Sequence, residues 1–199
     1  MKIIVKDNID KAIKAINNFE KRHLPEATAK SINITLFGLR KEMMKQLPKK
    51  LDRPTKKTVS GLFVFAAKRN KLGGILFVKD HIAKYLRFVI EGGTRQLSRN
   101  KTATPSRNAP EFLNAHGNIR GRRTGLIKNK NMFFAKIKYN PAIFERQPEN
   151  KVRVVFNLVP APKYIKNMFP FYRIGFKFIR ANFQKNFIRA FNEAKRGIL

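Results

Sequence analysis

The chain has 199 residues, no cysteine, and 44 lysines and arginines against 12 acidic residues, which gives a formal net charge of +32. The lack of cysteine excludes disulfides, thiolate chemistry and thiolate zinc sites, and it fits synthesis in a reducing cytoplasm. Hydrophobic residues make up 43% of the chain. It is therefore expected to fold, as a single domain over residues 1–199, and to attract polyanions or acidic protein surfaces.

The N-terminal stretch MKIIVKDNIDKAIK carries charged residues inside its short apolar run. No segment reaches the roughly 18 consecutive apolar residues that a membrane-spanning helix needs. Secretion and membrane insertion are therefore not expected.

Residues 1–50 are predicted to form a helical arm. Asp7 or Asn8 is a candidate cap for a first helix that ends near His23. Pro25 suits the first turn of a second helix, because its ring already has the helical φ and the first turn needs no amide donor there. Each helix has a narrow apolar stripe, which needs another surface to cover it.

Pro48 is expected to close the arm, and residues 59–97 then contain strand, turn, strand and helix in succession. Residues 62–67 are apolar on both faces, which favours a central strand, and a glycine-containing turn connects them to a second apolar run. Asp80 is expected to cap the following helix. The glycine pair at 92–93 is expected to end that helix, because glycine accepts the left-handed conformation.

Residues 94–131 show no sustained strand-like or helix-like period and are predicted to form a long basic loop. In its second half, glycines that allow close backbone approach alternate with arginines that can bind phosphate or carboxylate in a bidentate manner. The candidate contacts with DNA or a protein partner are Arg95, Arg99, Lys101, Arg120, Arg122 and Arg123. The alternative interpretation is a solvated, flexible arm.

Residues 132–199 are predicted to form two strands and a long helix. Apolar and polar residues alternate in residues 132–139 and again in residues 152–158, as in strands with one solvated face. Residues 171–196 have an apolar stripe at helical spacing that includes Phe176. The sequence therefore predicts an α+β fold, in which a mostly antiparallel sheet of about four strands is packed by a long C-terminal helix.

The chain contains 18 phenylalanines and no tryptophan. Exposed aromatic rings with nearby cations form stacking platforms for single-stranded nucleic acid. Most of these phenylalanines fall at positions that a hydrophobic core requires, so burial is the favoured interpretation and the platform is the alternative.

No catalytic, cofactor-binding or metal-binding residue is predicted, and the protein is not expected to be an enzyme. The histidines His23, His81 and His116 match no metal-ligand spacing. The GGTR sequence follows a helix, whereas a phosphate-binding loop precedes one. A two-metal nuclease would need distant carboxylates to converge, for example those of Asp52, Asp80, Glu91 and Glu111.

Two short stretches and the order of elements carry a resemblance to a known family. The stretches are YLRFVIEGGTR at residues 85–95 and FIRAFNEA at residues 187–194. They resemble minor tail and tail-completion proteins of tailed bacteriophages, in the Z-like and related head–tail joining group. The resemblance implies a structural virion protein of the phage neck or upper tail, made in the host cytoplasm, that completes the tail and mediates head–tail joining.

The implied partners are connector or adaptor proteins and tail or tail-tube subunits. The resemblance also implies that copies of this chain form a ring in the particle. DNA is a further partner, through non-specific phosphate contacts. No membrane or cofactor is implied. Tail completion, tail termination and a head-side adaptor role remain alternatives within this family. Outside it, the alternative is a free basic nucleic-acid-binding protein, either ribosome-associated or a DNA-packaging factor.

Overall fold

The computed structural model describes residues 2–6, 20–95, 102–120, 131–137, 140–159, 163–166 and 168–196. The chain divides into two compact units. Unit 1 consists of residues 1–90 and 167–199, and unit 2 consists of residues 91–166. Unit 2 is therefore an insertion in the sequence of unit 1. The assignment of a single domain stays a prediction.

The described elements of unit 1 are β1 (Lys2–Lys6), α1 (Glu20–Lys50), α2 (Lys56–Val59), β2 (Leu62–Phe65), β3 (Gly73–Val78), α3 (Asp80–Glu91) and α4 (Phe171–Arg196). The three strands form an antiparallel sheet in the order β1-β3-β2. The described elements of unit 2 are β4 (Gly93–Thr94), β5 (Thr102–Pro105), a 3-10 helix (Pro110–Phe112), β6 (Met132–Ile137), β7 (Asn140–Arg146), β8 (Val152–Val159) and β9 (Lys163–Tyr164).

In unit 2, four antiparallel strands pair in the order β5-β8-β7-β6, and β4 pairs with β9. The α+β class, the antiparallel pairing and the long C-terminal helix that packs against strands are confirmed. The strands are divided among three sheets rather than collected in one.

Helix α1 lies at the centre of the core of unit 1 instead of forming an arm. Its fully buried apolar side chains are Ile32, Leu36, Leu39, Met43 and Leu47. Each such burial contributes about 1.5–3 kcal/mol to stability. The sheet approaches the helix closely at Gly74, where a Cβ atom would lie 2.3 Å from Leu36 Cδ1. A side chain at this position would therefore have to displace Leu36.

The bounds of α1 differ from those expected. The helix is continuous from Glu20 to Lys50 with Pro25 and Pro48 inside it, so the predicted break near His23 is wrong. A proline removes one backbone hydrogen bond, and tertiary packing of a buried helix outweighs that loss. The first predicted helix, capped at Asp7 or Asn8, falls largely on residues 7–19, outside the described residues.

Helix α4 packs against α1 and β1. At Gly175 a Cβ atom would lie 2.2 Å from Ile3 Cδ1 and 3.6 Å from Met43 Cε. The side chains packed inward on this stripe are Phe171, Ile174, Phe178, Ile179 and Phe183. Phe176, expected on the stripe, is exposed instead. Ile179, Phe183 and Ala190 of the predicted stripe do face inward, so the error is confined to the start of the stripe, where Gly175 rather than Phe176 contacts the core.

Two local predictions within residues 59–97 are also corrected. Strand β2 lies at the edge of its sheet and β3 is central. Asp80 is the first residue of α3 rather than its cap, because the amides of Ile82 and Ala83 donate to Lys79 O at 2.9 and 2.8 Å. Its carboxylate still lies at the positive end of the helix dipole. The helix ends as predicted, at Gly92, whose φ is +75°.

Residues 94–131 are not a loop throughout. They contain β5 and the 3-10 helix, and Ala109 between them is fully buried. Ala109 packs with a second core cluster that contains Met132, Ile143, Val155, Phe156 and Leu158. Strand β6 ends at Ile137, and β7 begins at the Asn140–Pro141 pair, where proline at the start of a strand is tolerated.

Candidate nucleic-acid interface

The basic segment, residues 94–131, contains nine lysines and arginines and one acidic residue, Glu111. That carboxylate is engaged by a residue outside the segment, because Glu111 Oε1 accepts a hydrogen bond from Arg153 Nη2 on β8. The positive charges of the basic segment therefore have no acidic side chain of the segment left to neutralise them. Such a surface attracts polyanions.

Arg153 fastens the 3-10 helix to the four-stranded sheet. Besides Glu111, its Nε atom donates to Glu145 Oε2 on β7 at 2.7 Å. The hydrogen bond to Glu145, aided by the charges of both glutamates, raises the pKa of Arg153 above its ordinary value. Arg153 is therefore a permanent cation that joins two strands and the basic segment, and its own charge is compensated.

The first half of the basic segment is hydrogen-bonded to β8. The Ser106 N–H donates to Val155 O at 2.9 Å. The Ser106 hydroxyl donates to Val154 O at 2.6 Å, and Asn108 Nδ2 donates to the same carbonyl at 3.0 Å. These bonds continue the pairing of β5 with β8 beyond Pro105. Residues 102–108 of the segment are thus bonded to the sheet.

Arg120 is fixed at the end of a compact turn. Its backbone N–H donates to Phe112 O and its Nε atom donates to Leu113 O, both at 2.8 Å. Within the turn, Asn114 Oδ1 accepts hydrogen bonds from the amides of His116 and Asn118. Arg120 is therefore held by the 3-10 helix and by the residue that follows it. The chain returns to the sheet at Asn131, whose carbonyl accepts from the Arg146 N–H at 2.7 Å.

Of the six candidate contacts, the structure describes Arg95 and Arg120. Arg95 is partly buried and follows β4, whereas Arg120 is exposed. No hydrogen bond between these two described residues brings them together. Arg99, Lys101, Arg122 and Arg123 lie outside the described residues. A contact surface formed by all six stays a prediction.

The glycines of the GGTR sequence have a structural role. A Cβ atom at Gly92 would lie 2.8 Å from Lys166 Cα and 2.9 Å from Lys166 N. The adjoining Gly93 has φ of +106° and pairs with Tyr164 in the β4–β9 ladder. The residues that carry the family resemblance thus allow two backbone segments to approach closely.

The carboxylates that a two-metal nuclease site would need are either paired with arginine or exposed to solvent. Asp52 accepts two hydrogen bonds from Arg53, which lower the pKa of Asp52. Glu111 is paired with Arg153, and Asp80 and His81 are exposed in the first turn of α3. Within the described ranges, no three His, Cys, Asp or Glu residues lie close enough to hold a metal ion.

The ion pairs that Arg153 forms with Glu111 and with Glu145 were not predicted from the sequence. The available signal was that Glu111 is the one acidic residue among the nine cations of the basic segment. A lone carboxylate in such a segment indicates a specific ion pair, but its partner lies 42 residues away and the sequence does not identify it.

The sequence and the described residues define a strongly basic α+β protein with an inserted unit that contains a four-stranded antiparallel sheet. In the part of the chain that the structure describes, none of the helices has the length and apolar character needed to cross a membrane. Comparison with protein-family models, curated proteins and solved structures gives no match.

Proposed function

We propose that this chain is a structural virion protein of the neck or upper tail of a tailed bacteriophage, where it completes the tail and mediates head–tail joining. Two sequence stretches support the proposal, YLRFVIEGGTR at residues 85–95 and FIRAFNEA at residues 187–194. The observation that carries it is the basic segment, anchored to a sheet while its one carboxylate is bound elsewhere.

In this proposal the protein works by placing positive charge at a fixed position. Arg120 and Asn131, the described ends flanking residues 121–130, are both hydrogen-bonded into unit 2. In the sequence, Arg122 and Arg123 add two further positive charges next to Arg120. In a ring of copies, the same charges would recur around a central axis and face DNA phosphates or acidic connector and tail surfaces.

The test is charge reversal in the phage that encodes the protein. Arg120, Arg122 and Arg123 are replaced together by glutamate, and the yield of joined particles is measured by electron microscopy and infectivity. The matched control replaces Lys177, Arg180 and Lys185, which are exposed on α4, with glutamate. We expect separate heads and tails with the first variant and joined particles with the control. Normal joining in the first variant would contradict the assignment of these arginines.

The alternative function is that of a free nucleic-acid-binding protein, ribosome-associated or a packaging factor. The net charge of +32 favours it independently of any virion. Localisation of the chain in purified particles, by mass spectrometry and side-chain-resolution imaging, separates the two. Density at the head–tail junction supports the virion role, and absence of the chain from complete particles rejects it.

A further inference from the structure

The outer face of the β1-β3-β2 sheet is apolar. Alternate residues of the strands point to opposite faces, and the inner set, which includes Ile3, Leu62, Leu76 and Val78, is buried in the core. The outer set is aligned by the strand pairing into two rows. One row contains Lys2, Phe77 and Phe63, and the other contains Ile4, Ile75 and Phe65.

The outer face exposes aromatic rings at the β2 edge. Phe65 is 63% exposed and Phe63 is 42% exposed. Phe65 and Phe77 are stacked, with 4.9 Å between ring centroids and an interplanar angle of 16°, and Phe63 lies 6.2 Å from Phe77. Burying an exposed phenylalanine is favourable. A cluster of such rings in the open therefore indicates a surface that a ligand covers.

Cations border these rings. Lys79 Nζ lies 4.2 Å from the centroid of Phe63, and Arg40 Cζ lies 5.8 Å from it. Exposed Lys2 stands at the β1 end of the Phe77 row. Strands β1, β2 and β3 contain no aspartate or glutamate. The charge of the face therefore complements an anionic ligand.

The area of the outer face favours a nucleic-acid strand over a protein partner. Three strands spaced about 4.8 Å apart, with two alternate positions about 7 Å apart on each, give a surface of roughly 10 Å by 7 Å. A stable protein interface needs about 800 Å² from each partner, which is several times more. Sheets that recognise single strands stack two or three bases on their aromatic residues. The outer face matches that requirement.

We propose that the outer face of the β1-β3-β2 sheet binds single-stranded nucleic acid. Bases stack on Phe65 and the adjoining rings, and Lys79, Arg40 and Lys2 contact the phosphates. The binding is sequence-tolerant, because every base offers a flat face and no side-chain amide lies on the strands to read base edges. The inference goes beyond the proposed virion role and holds for a chain inside or outside a particle.

The test measures binding of the purified full chain to a short fluorescent oligothymidylate and to a hairpin duplex with the same number of phosphates, at several salt concentrations. Phe65→Ala is the main variant and Phe65→Tyr keeps an aromatic ring. Phe176→Ala is the matched control, because Phe176 is 64% exposed on α4 of the same unit and is likewise flanked by cations. Circular dichroism checks that each variant is folded.

We expect Phe65→Ala to weaken single-strand binding by about 5- to 100-fold, the loss of one stacked base, while duplex affinity stays within about twofold. Phe65→Tyr and Phe176→Ala should bind the single strand as the wild type does. Lys79→Gln should make the slope of log affinity against log salt concentration less steep, by the amount expected for the loss of about one phosphate contact.

Several results would overturn the proposal. One is unchanged single-strand affinity in Phe65→Ala, and another is an equal loss for single strand and duplex. A third is that Phe65→Ala abolishes self-association in sedimentation while oligothymidylate binding is retained, which would make the outer face a contact between copies of the chain.

Discussion

Asn33 on α1 exchanges two hydrogen bonds with the backbone of Ala67, which follows β2. Asn33 Nδ2 donates to Ala67 O at 3.0 Å, and the Ala67 N–H donates to Asn33 Oδ1 at 2.7 Å. A single side chain therefore supplies the donor and acceptor that a neighbouring strand would supply. Ala67 is buried, so water does not replace these bonds readily.

Replacing Asn33 by alanine should lower the free energy of unfolding by about 1–3 kcal/mol, because a buried amide and carbonyl lose their partner. Asn33→Asp should also destabilise, since the carboxylate cannot donate to Ala67 O. The measurement is the urea midpoint by circular dichroism. Asn192→Ala, an exposed asparagine-to-alanine change on α4, is the control. Equal midpoints for Asn33→Ala and the control would show that the exchange adds no stability.

Gly92→Ala should destabilise unit 2 more than Gly93→Ala does. Both glycines have positive φ, of +75° and +106°, so each substitution strains the backbone. Only at Gly92 does the new Cβ meet backbone atoms, those of Lys166, whereas nothing lies within 4 Å at Gly93. Thermal unfolding of the two variants compares a position that has the backbone clash with one that lacks it. Equal melting temperatures for the two variants would contradict the close approach of Gly92 to Lys166.

The turn between β7 and β8 can be improved. Glu149 and Asn150 have φ of +60° and +58°, the pattern of a type I′ hairpin turn, which favours asparagine followed by glycine. Asn150→Gly should raise the free energy of unfolding by about 0.5–1 kcal/mol, since glycine adopts this conformation without strain. Asn157→Gly, on strand β8, should instead destabilise. A loss of stability in Asn150→Gly would contradict the turn assignment.

Glu193 should make stability depend on pH. The hydrogen bond from Lys30 at 2.6 Å, followed by that from Arg189, lowers the pKa of Glu193 from its ordinary 4.5. The ionised carboxylate is thus favoured in the folded state. Its contribution is present above pH 4.5 and is lost as the pH falls through the lower pKa of the folded protein.

Glu193→Gln should therefore lower the melting temperature at neutral pH, and the difference from the wild type should vanish in acid. The effect should be small and reduced by salt, because both side chains are largely exposed. A double-mutant cycle with Lys30→Met separates the pair from other effects. A difference independent of pH would exclude the ion pair as its cause.

Sequence patterns predicted those features that depend on local chemistry. The α+β class, the end of α3 at Gly92 and the outward lysines and arginines of α4 were predictable, because glycine conformation and charge on a helix surface are local properties. The failures concern long-range contacts. Apolar residues on both faces of β2 indicated a central strand, yet one face is solvated and exposes Phe63 and Phe65.

In the basic segment, too, a local property was predictable and the long-range contacts were not. Its charge is evident in the sequence, but its order depends on distant groups. Ser106 and Asn108 bond Val154 some 48 and 46 residues away, and Glu111 bonds Arg153. Short irregular stretches become ordered through such single bonds, which leave no periodic signal. For this reason the sequence predicts a loop where residues 102–120 are ordered.

The pairing of α1 with α4 implies an order of events during synthesis. Thr35 and Asn186 share a hydrogen bond although 151 residues separate them. Helix α4 leaves the ribosome only after all of unit 2, whose sequence is continuous and whose sheet is complete without α4. In a nascent chain α1 therefore lacks its partner helix until residues 171–196 have been made, and the side chains of α1 that face α4 stay uncovered until then.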